Sequence, residues 1–378
     1  MFTVGIIGAT GYAGVELVRL LSSHPNVGRM LLSSTSFEGG RIETVYPNLL
    51  GRVSSELLAP DRVVAESDVV FSALPHGVGE KFALLCSGRK IPFIDLSADF
   101  RFDDDEATFT AWYGKPYEHP ELRAHSVYGL PEMNRERIRK ALIIGNPGCY
   151  PTGASLGLYP ALKLGLLAEG TVIVDAASGV TGAGRAPSQT THYPDCTDSL
   201  APYKVGGHRH VPEIARNFSI MAGKPVPMVF TPHLAPMNRG ILSTIYAPLA
   251  PAGAAPTGAG AATVGVVQPA APDASAPRPA TKDMEARAAA LRERWADFYK
   301  DEPFVRVLHY GQTATTRNVR LSNYCDISIH LDQTGTMLIV VSAIDNMIKG
   351  AAGQAIQNMN IVMGFGESVG IDAVPAAF

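Results

Sequence analysis

The first half of the chain alternates short apolar runs with segments of helical periodicity. After an apolar run that begins at Phe2, further runs occupy residues 30–33, 68–73, 91–96 and 141–144. Continuous apolar runs of this length, separated by helices, are typical of parallel strands that are buried on both faces. The pattern predicts an α/β fold with a doubly wound parallel sheet, which binds ligands at the carboxyl ends of its strands.

The pattern changes in the second half of the chain. Residues 171–177 predict one further strand, and the long β-rich stretches 228–249 and 323–344 predict several more. Their alternation and turns indicate a broad, mostly antiparallel sheet. One face of this sheet is expected to pack on helices or on a second subunit.

We expect two domains, because the chain exceeds the size at which a single core keeps growing. They are a Rossmann-type domain over residues 1–148, joined by a C-terminal helix over 346–378, and an α+β domain over 149–345. Within the second domain, residues 248–281 consist mainly of Ala, Pro and Gly, which predicts a flexible insert. An amphipathic helix is predicted next, over residues 283–300.

A glycine-rich turn follows the first predicted strand. Gly8, Gly11 and Gly14 form the pattern G-x-x-G-x-x-G between that strand and a predicted helix over residues 15–22. In this context the glycines permit a tight turn and let the helix N-terminus approach a pyrophosphate. The pattern favours dinucleotide binding over the alternative, a glycine-rich turn without a ligand.

The residues after the second strand indicate which dinucleotide binds. An NAD site usually has Asp or Glu there, to hold the ribose 2′-hydroxyl. This chain has Ser34, Thr35 and Ser36 instead, with Arg41 a few residues later. Hydroxyls and a cation suit a 2′-phosphate, so we expect NADP(H). The alternative is that these serines only cap the loop.

Cys149 is the predicted nucleophile. It follows Asn146-Pro147-Gly148, which ends a strand in a tight turn, and it precedes a predicted helix over residues 152–162. Unpaired N–H groups at a helix N-terminus stabilise a thiolate, so we expect a lowered thiol pKa. The alternative is a buried and unreactive structural cysteine.

Two histidines, His208 and His210, flank Arg209 and open a helix that has Pro212 near its first turn. A histidine that is distant in sequence but close in space is the usual base for a cysteine nucleophile. We favour His208, because the glycines before it let the backbone approach the thiol. A metal pair would need a third ligand, which the sequence does not offer, so no metal is expected.

Composition excludes several classes of function. Of the 378 residues, 46% are hydrophobic and 18% charged, and the net charge is −3. No basic excess indicates a nucleic-acid partner, and no apolar run could span a bilayer. The first residues lack the basic stretch of a signal peptide. Four scattered cysteines without a C-x-x-C pair suit a reducing compartment, so we expect a cytoplasmic protein.

Nearly the whole chain resembles the N-acetyl-γ-glutamyl-phosphate reductases, which are relatives of aspartate-semialdehyde dehydrogenase. The cysteine sequence is the most specific of the matching motifs. These motifs lie at residues 8–14, 144–160, 178–185, 207–210, 232–240 and 345–360. The Ala/Pro-rich insert has no counterpart in the family pattern.

The resemblance implies NADPH-dependent reduction of N-acetyl-γ-glutamyl phosphate to N-acetyl-glutamate 5-semialdehyde in arginine biosynthesis, through a cysteine thioester. It implies an acyl-phosphate substrate and a homodimer or homotetramer, with no nucleic-acid or membrane partner. The predicted catalytic residues are Cys149, His208 and His210. The predicted cofactor contacts are Gly8, Thr10, Gly11, Tyr12, Ala13, Gly14, Ser34, Ser36, Arg41, Leu74, Pro75, His76, Ser178, Gly179, Asn346, Lys349 and Gly350. The predicted substrate contacts are Arg101, Asn146, Arg185, Arg209 and Glu213.

Other functions need different features. A reductase for aspartyl phosphate or an N-modified aminoadipyl phosphate would need only a different side-chain pocket. A non-catalytic NADP-sensing module would need the glycine turn but not a cysteine together with two histidines. A carbohydrate epimerase or reductase would need a Tyr-x-x-x-Lys pair, which Tyr203-Lys204 and Tyr299-Lys300 do not provide.

Overall fold

The structure is a computed structural model that describes residues 2–251 and 281–376. Two sheets and the helices packed on them make up this part of the chain. The strands are β1 Phe2–Ile7, β2 Val27–Ser33, β3 Leu57–Leu58, β4 Val69–Ser72, β5 Phe93–Asp95, β6 Ser126–Tyr128, β7 Ile143–Gly145, β8 Val172–Ser178, β9 Ala201–Pro202, β10 Met228–Leu234, β11 Ile241–Pro248, β12 Val305–Val307, β13 Cys325–Leu331 and β14 Met337–Ile344. The helices are α1 Tyr12–Leu21, α2 Ile42–Val45, α3 Pro60–Ala65, α4 Glu80–Gly88, α5 Glu106–Tyr113, α6 Pro131–Ile138, α7 Cys149–Lys163, α8 Tyr193–Cys196, α9 Val211–Ala222, α10 Thr281–Phe298 and α11 Gly353–Val362.

The first sheet is parallel, with the strand order β3-β2-β1-β4-β5-β7-β6. Its central strands are buried on both faces. On β4, Val69 and Phe71 pack into one core cluster and Val70 packs into another. The predicted doubly wound parallel sheet is therefore confirmed. The carboxyl ends of β1, β4, β5 and β7 lie at one edge, so the loops that follow them are brought together.

The second sheet has the order β12-β13-β14-β11-β8-β10-β9 and is mainly antiparallel, with β8–β10 and β12–β13 parallel. Helices α7, α9 and α10 cover one face, where Leu156 and Trp295 share a core cluster with the strand residue Val174. On the opposite face Ile173 and Val229 are 41% and 50% exposed. The opposite face is nevertheless covered at β14, where Val341 and Ala343 pack with Ala314 and Val319. The helix-covered face agrees with the prediction that one face of this sheet packs on helices.

The chain returns to the first sheet after β14. A π-helical segment, Ile348–Ala352, leads into α11, whose Ile356 and Met359 join a core cluster of the first sheet. The helix predicted over residues 346–378 is too long. Gly364 adopts a left-handed φ of 74° shortly after α11, which is a common way to end a helix.

Two further predicted boundaries are wrong. Helix α7 begins at Cys149 and not at residue 152, because the tight turn before it is already complete at Gly148, an extended N-cap. The flexible insert was predicted to begin at residue 248, but Pro248 still pairs with β14 in the second sheet. The rest of the predicted insert, residues 252–280, lies outside the described residues.

Candidate active site

Cys149 occupies the first position of α7, directly after the turn that ends β7. The turn is fixed at the carboxyl edge of the first sheet, since the Asn146 N–H donates to the Asp95 carbonyl oxygen at 2.8 Å. Helix α7 itself packs on β11 and β14 of the second sheet. The π-helical segment closes in from the other side, because a Cβ on Gly350 would lie 2.8 Å from the Cys149 Cβ. Cys149 is therefore at the junction of the two sheets.

The electrostatic surroundings of the Cys149 thiol differ from the prediction. The residue is partly exposed, but burial of the sulfur raises the pKa of the thiol. Arg101, Arg209 and the Tyr150 N–H oppose this shift without reversing it. The predicted lowering of the pKa is wrong, because the sequence could not show how much protein surrounds the sulfur. Thiolate formation at this site calls for a nearby base.

Glu213, in the first turn of α9, fixes the cysteine turn from the second sheet. Its carboxylate is 1% exposed, and Oε1 accepts hydrogen bonds from the Gly148 N–H and the Tyr128 hydroxyl, both at 2.8 Å. Oε2 pairs with Arg101 Nη1 at 3.2 Å. The carboxylate thus holds the backbone immediately before Cys149 in one position.

Arg101 and Asn146, which were predicted as substrate contacts together with Glu213, are engaged within the protein. Arg101 donates from Nε to the Asn146 carbonyl at 2.9 Å and from Nη2 to the Leu96 carbonyl at 3.1 Å. Asn146 Nδ2 donates to the Ala351 carbonyl at 3.1 Å. The structure does bring these three residues to the site, but as a network behind Cys149.

His210 lies beside the cysteine turn. Its Nε2 is 2.6 Å from the position that a Cβ on Gly148 would take. The ring is buried, and Nδ1 has no hydrogen-bond partner in the described part of the chain. Burial, and then the charge of Arg101, lowers the pKa of His210 well below its usual value. The imidazole is therefore neutral near pH 7, which is the form that can accept a proton.

His208 stands one layer behind His210. Its Nδ1 accepts the His210 N–H at 3.1 Å, which makes Nε2 the protonated nitrogen. The ring is enclosed by Tyr150, Tyr203 and Phe230, with ring centroids 5.4 to 5.7 Å away. Burial, followed by nearby positive charges, lowers the pKa of His208 to about 4. These contacts make His208 a support for the loop that carries His210.

Arg209 is the exposed cation of this site. Its guanidinium forms no hydrogen bond or ion pair with the residues that the structure describes. Its charge nevertheless reaches the Cys149 thiol and both neighbouring histidines. His76, which was predicted as a cofactor contact, packs on Tyr113 near the same place, with ring centroids 5.5 Å apart. Arg209 is thus placed to receive an anion next to the thiol.

An open cavity of about 440 Å³ lies at the glycine turn. Several residues predicted to bind the cofactor line it. Its lining consists of Gly8, Thr10, Gly11, Ser34, Thr35, Ser36, Phe37, Ala73, Leu74, Pro75, Arg185 and Ala186. Thr35 belongs to the hydroxyl-bearing stretch that the sequence analysis singled out after the second strand. Phe37, Ala73 and Ala186 were not predicted, because no local pattern marks them and only folding brings their loops together.

The glycine turn has the shape that a dinucleotide requires. A Cβ on Gly8 would meet the Ala73 carbonyl oxygen at 2.6 Å, and φ at Gly8 is 85°. A Cβ on Gly14 would lie 2.2 Å from the Gly8 carbonyl oxygen. A Cβ on Gly11 would have no neighbouring atom closer than 3.5 Å. The first and third glycines therefore allow tight packing, whereas the second keeps the N-terminus of α1 open. Tyr12 and Ala13 form the first turn of α1 and do not line the cavity.

Two of the four arginines predicted to contact the cofactor or the substrate, Arg41 and Arg185, do not have their predicted contacts. Arg41 was predicted to contact the cofactor, but its Nε pairs with Glu43 at 2.7 Å, and it does not line the cavity. Arg185 was predicted to contact the substrate, but it lines the nucleotide cavity, where Nη1 donates to the Thr10 carbonyl at 3.0 Å. Each side chain is oriented by tertiary contacts that the sequence does not reveal.

Lys349 is not placed to contact a cofactor. Its ammonium group is 0% exposed and pairs with Glu132 at 2.6 Å, with a further hydrogen bond to Gln357 at 2.8 Å. Asn346 is also buried and accepts the Gly240 N–H at 2.7 Å. Both side chains therefore brace the segment around the π-helix, which brings Gly350 against Cys149.

Ser178 and Gly179, at the end of β8, pack against the loop before β11. A Cβ on Gly179 would lie 2.6 Å from the Asn238 carbonyl oxygen, and Ser178 is 3% exposed. Neither lines the nucleotide cavity.

Tyr128 was missed by the sequence analysis, although its hydroxyl contacts the Glu213 carboxylate. A lone tyrosine carries no pattern that could have marked it.

No group of three or more His, Cys, Asp or Glu side chains among the described residues could hold a metal ion. No described helix is both long enough and apolar enough to cross a membrane.

Two family models match the chain. Residues 3–141 match the semialdehyde dehydrogenase NAD binding domain. Residues 149–259 and 275–346 match the semialdehyde dehydrogenase dimerisation domain. Residues 142–148, which contain β7 and the turn before Cys149, lie between the two matched regions.

Several curated proteins are similar over the full length. The N-acetyl-γ-glutamyl-phosphate reductase of Clostridium beijerinckii is 46% identical over 378 residues, with 100% of both chains covered. The protein of the same name from Geobacter metallireducens is 43% identical over 380 residues, with 99% of both chains covered.

Solved structures share the fold at low sequence identity. Aspartate semialdehyde dehydrogenase II of Vibrio cholerae superposes with a TM-score of 0.68 at 15% identity, covering 96% of this chain and 98% of that one. The aspartate semialdehyde dehydrogenase of Candida albicans gives 0.61 at 16% identity, covering 96% and 98%. From the full-length identities and the two family models, the chain belongs to the N-acetyl-γ-glutamyl-phosphate reductase family, and it is a semialdehyde-dehydrogenase-type oxidoreductase that binds a nicotinamide cofactor.

Proposed function

We propose that the protein reduces N-acetyl-γ-glutamyl phosphate with NADPH to N-acetyl-glutamate 5-semialdehyde and phosphate, as a step of arginine biosynthesis. The names of its full-length relatives support this substrate. The observation that carries the chemistry is Cys149 at the start of α7, with the neutral His210 beside the preceding Gly148. An acyl phosphate is already activated, so a thiolate is sufficient to open it.

The first half of the reaction uses Cys149 and His210. His210 Nε2 takes the thiol proton, which the raised thiol pKa makes necessary. The sulfur attacks the acyl carbon, the bond to phosphate breaks, and the departing phosphate receives the proton from His210. The product on the protein is a thioester at Cys149, and His210 is neutral again.

The second half releases the aldehyde. When bound at the carboxyl edge of the first sheet, a nicotinamide would supply the hydride that reduces the thioester carbon. The N–H groups in the first turn of α7 face the developing oxyanion, as in other acyl-transfer sites. Collapse of the thiohemiacetal returns Cys149 as a thiolate, and His210 delivers a proton from solvent to the sulfur. Glu213 keeps the turn rigid throughout by holding the Gly148 N–H.

Between the two histidines, we assign the acid–base role to His210 and a positioning role to His208. His208 offers Nδ1 to the His210 backbone, and its ring is enclosed by aromatic residues. This reverses the preference from sequence, which rested on the flexibility of the glycines before His208. Arg209, exposed and without a protein partner in the described residues, is assigned to an anionic group of the substrate.

NADP is the proposed form of the nicotinamide cofactor. The residues at the end of β2 that line the cavity, Ser34 to Ser36, are hydroxyl-bearing and none is acidic. A carboxylate there would repel a 2′-phosphate, whereas hydroxyls can donate hydrogen bonds to it. The aspartate semialdehyde dehydrogenase of Candida albicans, which shares the fold, was solved with NADP, and this is compatible with the NADP assignment.

We propose that each of the two sheets forms the centre of one domain. Residues 1–148 and 346–378 would form the nucleotide domain, and residues 149–345 the catalytic and oligomerisation domain. The face of the second sheet opposite its helices exposes Ile173 and Val229 on β8 and β10, which favours a homodimer or homotetramer. All four cysteines are free, which suits a reducing cytoplasm.

The substrate can be tested in the reverse direction with purified protein, NADP⁺ and phosphate. N-acetyl-glutamate semialdehyde should give a kcat/KM at least about a hundredfold above that of aspartate semialdehyde or an N-modified aminoadipate semialdehyde. A higher kcat/KM with either competitor would assign the protein to that acyl phosphate instead. If none of the three semialdehydes supports NADPH formation, the proposed reaction is refuted.

A further inference from the structure

The nucleotide cavity contains one charged side chain among its described lining residues, and this is Arg185. The guanidinium stands over two aromatic rings, 5.3 Å from the Tyr46 centroid and 5.5 Å from the Phe37 centroid. Its Nη1 donates to the carbonyl oxygen of Thr10, in the glycine turn. The Thr10 hydroxyl in turn is 2.6 Å from the Ser34 hydroxyl. The cation is thus fixed at the rim formed by the glycine turn and the residues after β2.

A well-anchored loop brings Arg185 to this position from the second sheet. The Val180 N–H donates to the Met237 carbonyl at 2.9 Å, and the Thr181 hydroxyl donates to the Asn238 carbonyl at 2.6 Å. Gly184 then turns the chain with a φ of 87°. Arg185 therefore reaches the cavity from a rigid base, so a ligand that it binds would meet a preformed contact.

Arg41, the other arginine near this edge, is already neutralised. Its Nε pairs with Glu43, and its Nη2 donates to the Ser54 hydroxyl. The Ser54 hydroxyl also donates to Glu43 Oε1 at 2.6 Å. A guanidinium that is paired with a carboxylate in this way offers less to an incoming phosphate than the guanidinium of Arg185, whose neighbours are a carbonyl oxygen and two aromatic rings.

We propose that Arg185 binds the 2′-phosphate of the cofactor and thereby sets the preference for NADP(H) over NAD(H). The inference rests on the proposed function, in which this cavity holds the adenosine end of NADP. A guanidinium has five N–H donors, and the Thr10 carbonyl oxygen occupies one of them, which leaves a fork for two phosphate oxygens. The hydroxyl of Ser36 lines the same cavity and completes a phosphate site without any carboxylate.

The proposal predicts selective loss of affinity for a 2′-phosphate. Calorimetric titration of the full-length protein would compare adenosine 2′,5′-bisphosphate with 5′-AMP, which differ only in that group. Arg185→Gln should weaken binding of the bisphosphate by about ten- to a hundredfold, the range of a charge-assisted pair. It should change 5′-AMP binding less than about threefold. Arg41→Gln is the matched control and should leave both affinities near those of the wild type.

Kinetics give a second measurement. In Arg185→Gln, kcat/KM for NADPH should fall by a similar factor while that for NADH stays constant, and Arg185→Lys should retain part of the preference. If Arg185→Gln keeps the wild-type difference between the two nucleotides, or if Arg41→Gln loses it, the inference is overturned and the proposed function stands. If the wild type binds both nucleotides equally, the NADP assignment and the inference fail together.

Discussion

His210 Nε2 lies 2.6 Å from the point that a Cβ on Gly148 would occupy, and Arg101 Nη1 lies 3.0 Å from it. A side chain at the residue before the nucleophile would therefore require His210 or Arg101 to move, since Cβ contacts shorter than 3.0 Å are essentially never seen in proteins. This absence of a side chain allows an imidazole to stand next to the turn that presents Cys149. The roles of His210 and of Gly148 can therefore be tested separately by substitution.

Replacing His210 should affect the chemical step. His210→Asn is expected to lower kcat by roughly a hundredfold or more, because the thiol would lose its proton acceptor. His208→Asn should lower kcat less, since it acts by holding the His210 backbone. Steady-state kinetics at saturating substrate would measure both effects. A larger loss of kcat in His208→Asn than in His210→Asn would contradict the assignment.

Replacing Gly148 should displace His210 without removing it. Gly148→Ala is expected to lower kcat at least about tenfold, because the added methyl group must push the imidazole or Arg101 aside. Gly207→Ala is a matched control in the same loop as the histidines. A Cβ there would meet no atom within 4 Å, so activity should be nearly unchanged. Equal activity of both variants would show that the contact with Gly148 has no catalytic consequence.

Much of this site could be predicted from short stretches of sequence. The glycine turn and the cysteine turn each combine a strand end, a tight turn and a helix start within a few residues. Local rules therefore predict both the elements and their relation to the sheet edge. The parallel sheet followed in the same way from its continuous apolar runs.

The roles of the charged side chains could not be predicted, because distant residues determine them. Lys349 pairs with Glu132, 217 positions away, and Arg185 donates to Thr10, 175 positions away. From sequence alone, Arg41 is the first cation after the second strand, and only the structure shows that Glu43 and Ser54 hold its guanidinium. The predicted lowering of the Cys149 pKa is wrong for a related reason, because burial of this residue depends on distant parts of the chain such as the segment of Gly350.

The buried histidines should make folding sensitive to mild acid. The pKa of His208 falls from 6.5 in the unfolded chain to about 4 in the structure, because of burial and the charges of Arg209 and Lys204. The unfolded state therefore binds the proton first as the pH falls. The stability that comes from neutral His208 is complete above pH 6.5 and is lost as the pH falls towards 4, a change on the order of 2–3 kcal/mol.

Thermal denaturation between pH 8 and pH 4.5 would measure this effect. The wild-type Tm should decrease below pH 6.5, and His208→Gln should decrease less steeply. His192→Gln, at an exposed position, should follow the wild-type curve. The same slope in His208→Gln and wild type would show that His208 does not contribute.

Lys349 should contribute to stability and not to cofactor affinity. Lys349→Met leaves the Glu132 carboxylate buried without its partner, which should lower the free energy of unfolding by about 3–5 kcal/mol. Adding Glu132→Leu should recover part of the loss, since the unpaired charge is removed. Chemical denaturation would measure both, and titration with adenosine 2′,5′-bisphosphate should give wild-type affinity for the folded variants. A stable Lys349→Met with weakened nucleotide binding would favour the cofactor contact predicted from sequence.

The thioester mechanism predicts that the reverse reaction depends on inorganic phosphate. Oxidation of the semialdehyde leaves an acyl group on Cys149, and turnover needs an acceptor to release it. A hydrolytic aldehyde dehydrogenase would use water. Here the exposed guanidinium of Arg209 and the first turn of α7 offer an anion site next to the thiol, which favours phosphate.

NADPH formation from N-acetyl-glutamate semialdehyde should accordingly saturate with phosphate, and arsenate should replace it. Arg209→Gln should raise the KM for phosphate or for the semialdehyde, depending on which anion the guanidinium holds. Cys149→Ser should abolish turnover yet bind adenosine 2′,5′-bisphosphate like the wild type, because the nucleotide cavity does not include residue 149. Steady NADPH formation in buffer free of phosphate and arsenate, at the rate seen with phosphate, would mean that water releases the acyl group. The protein would then be a hydrolytic dehydrogenase, even if Cys149 proved essential.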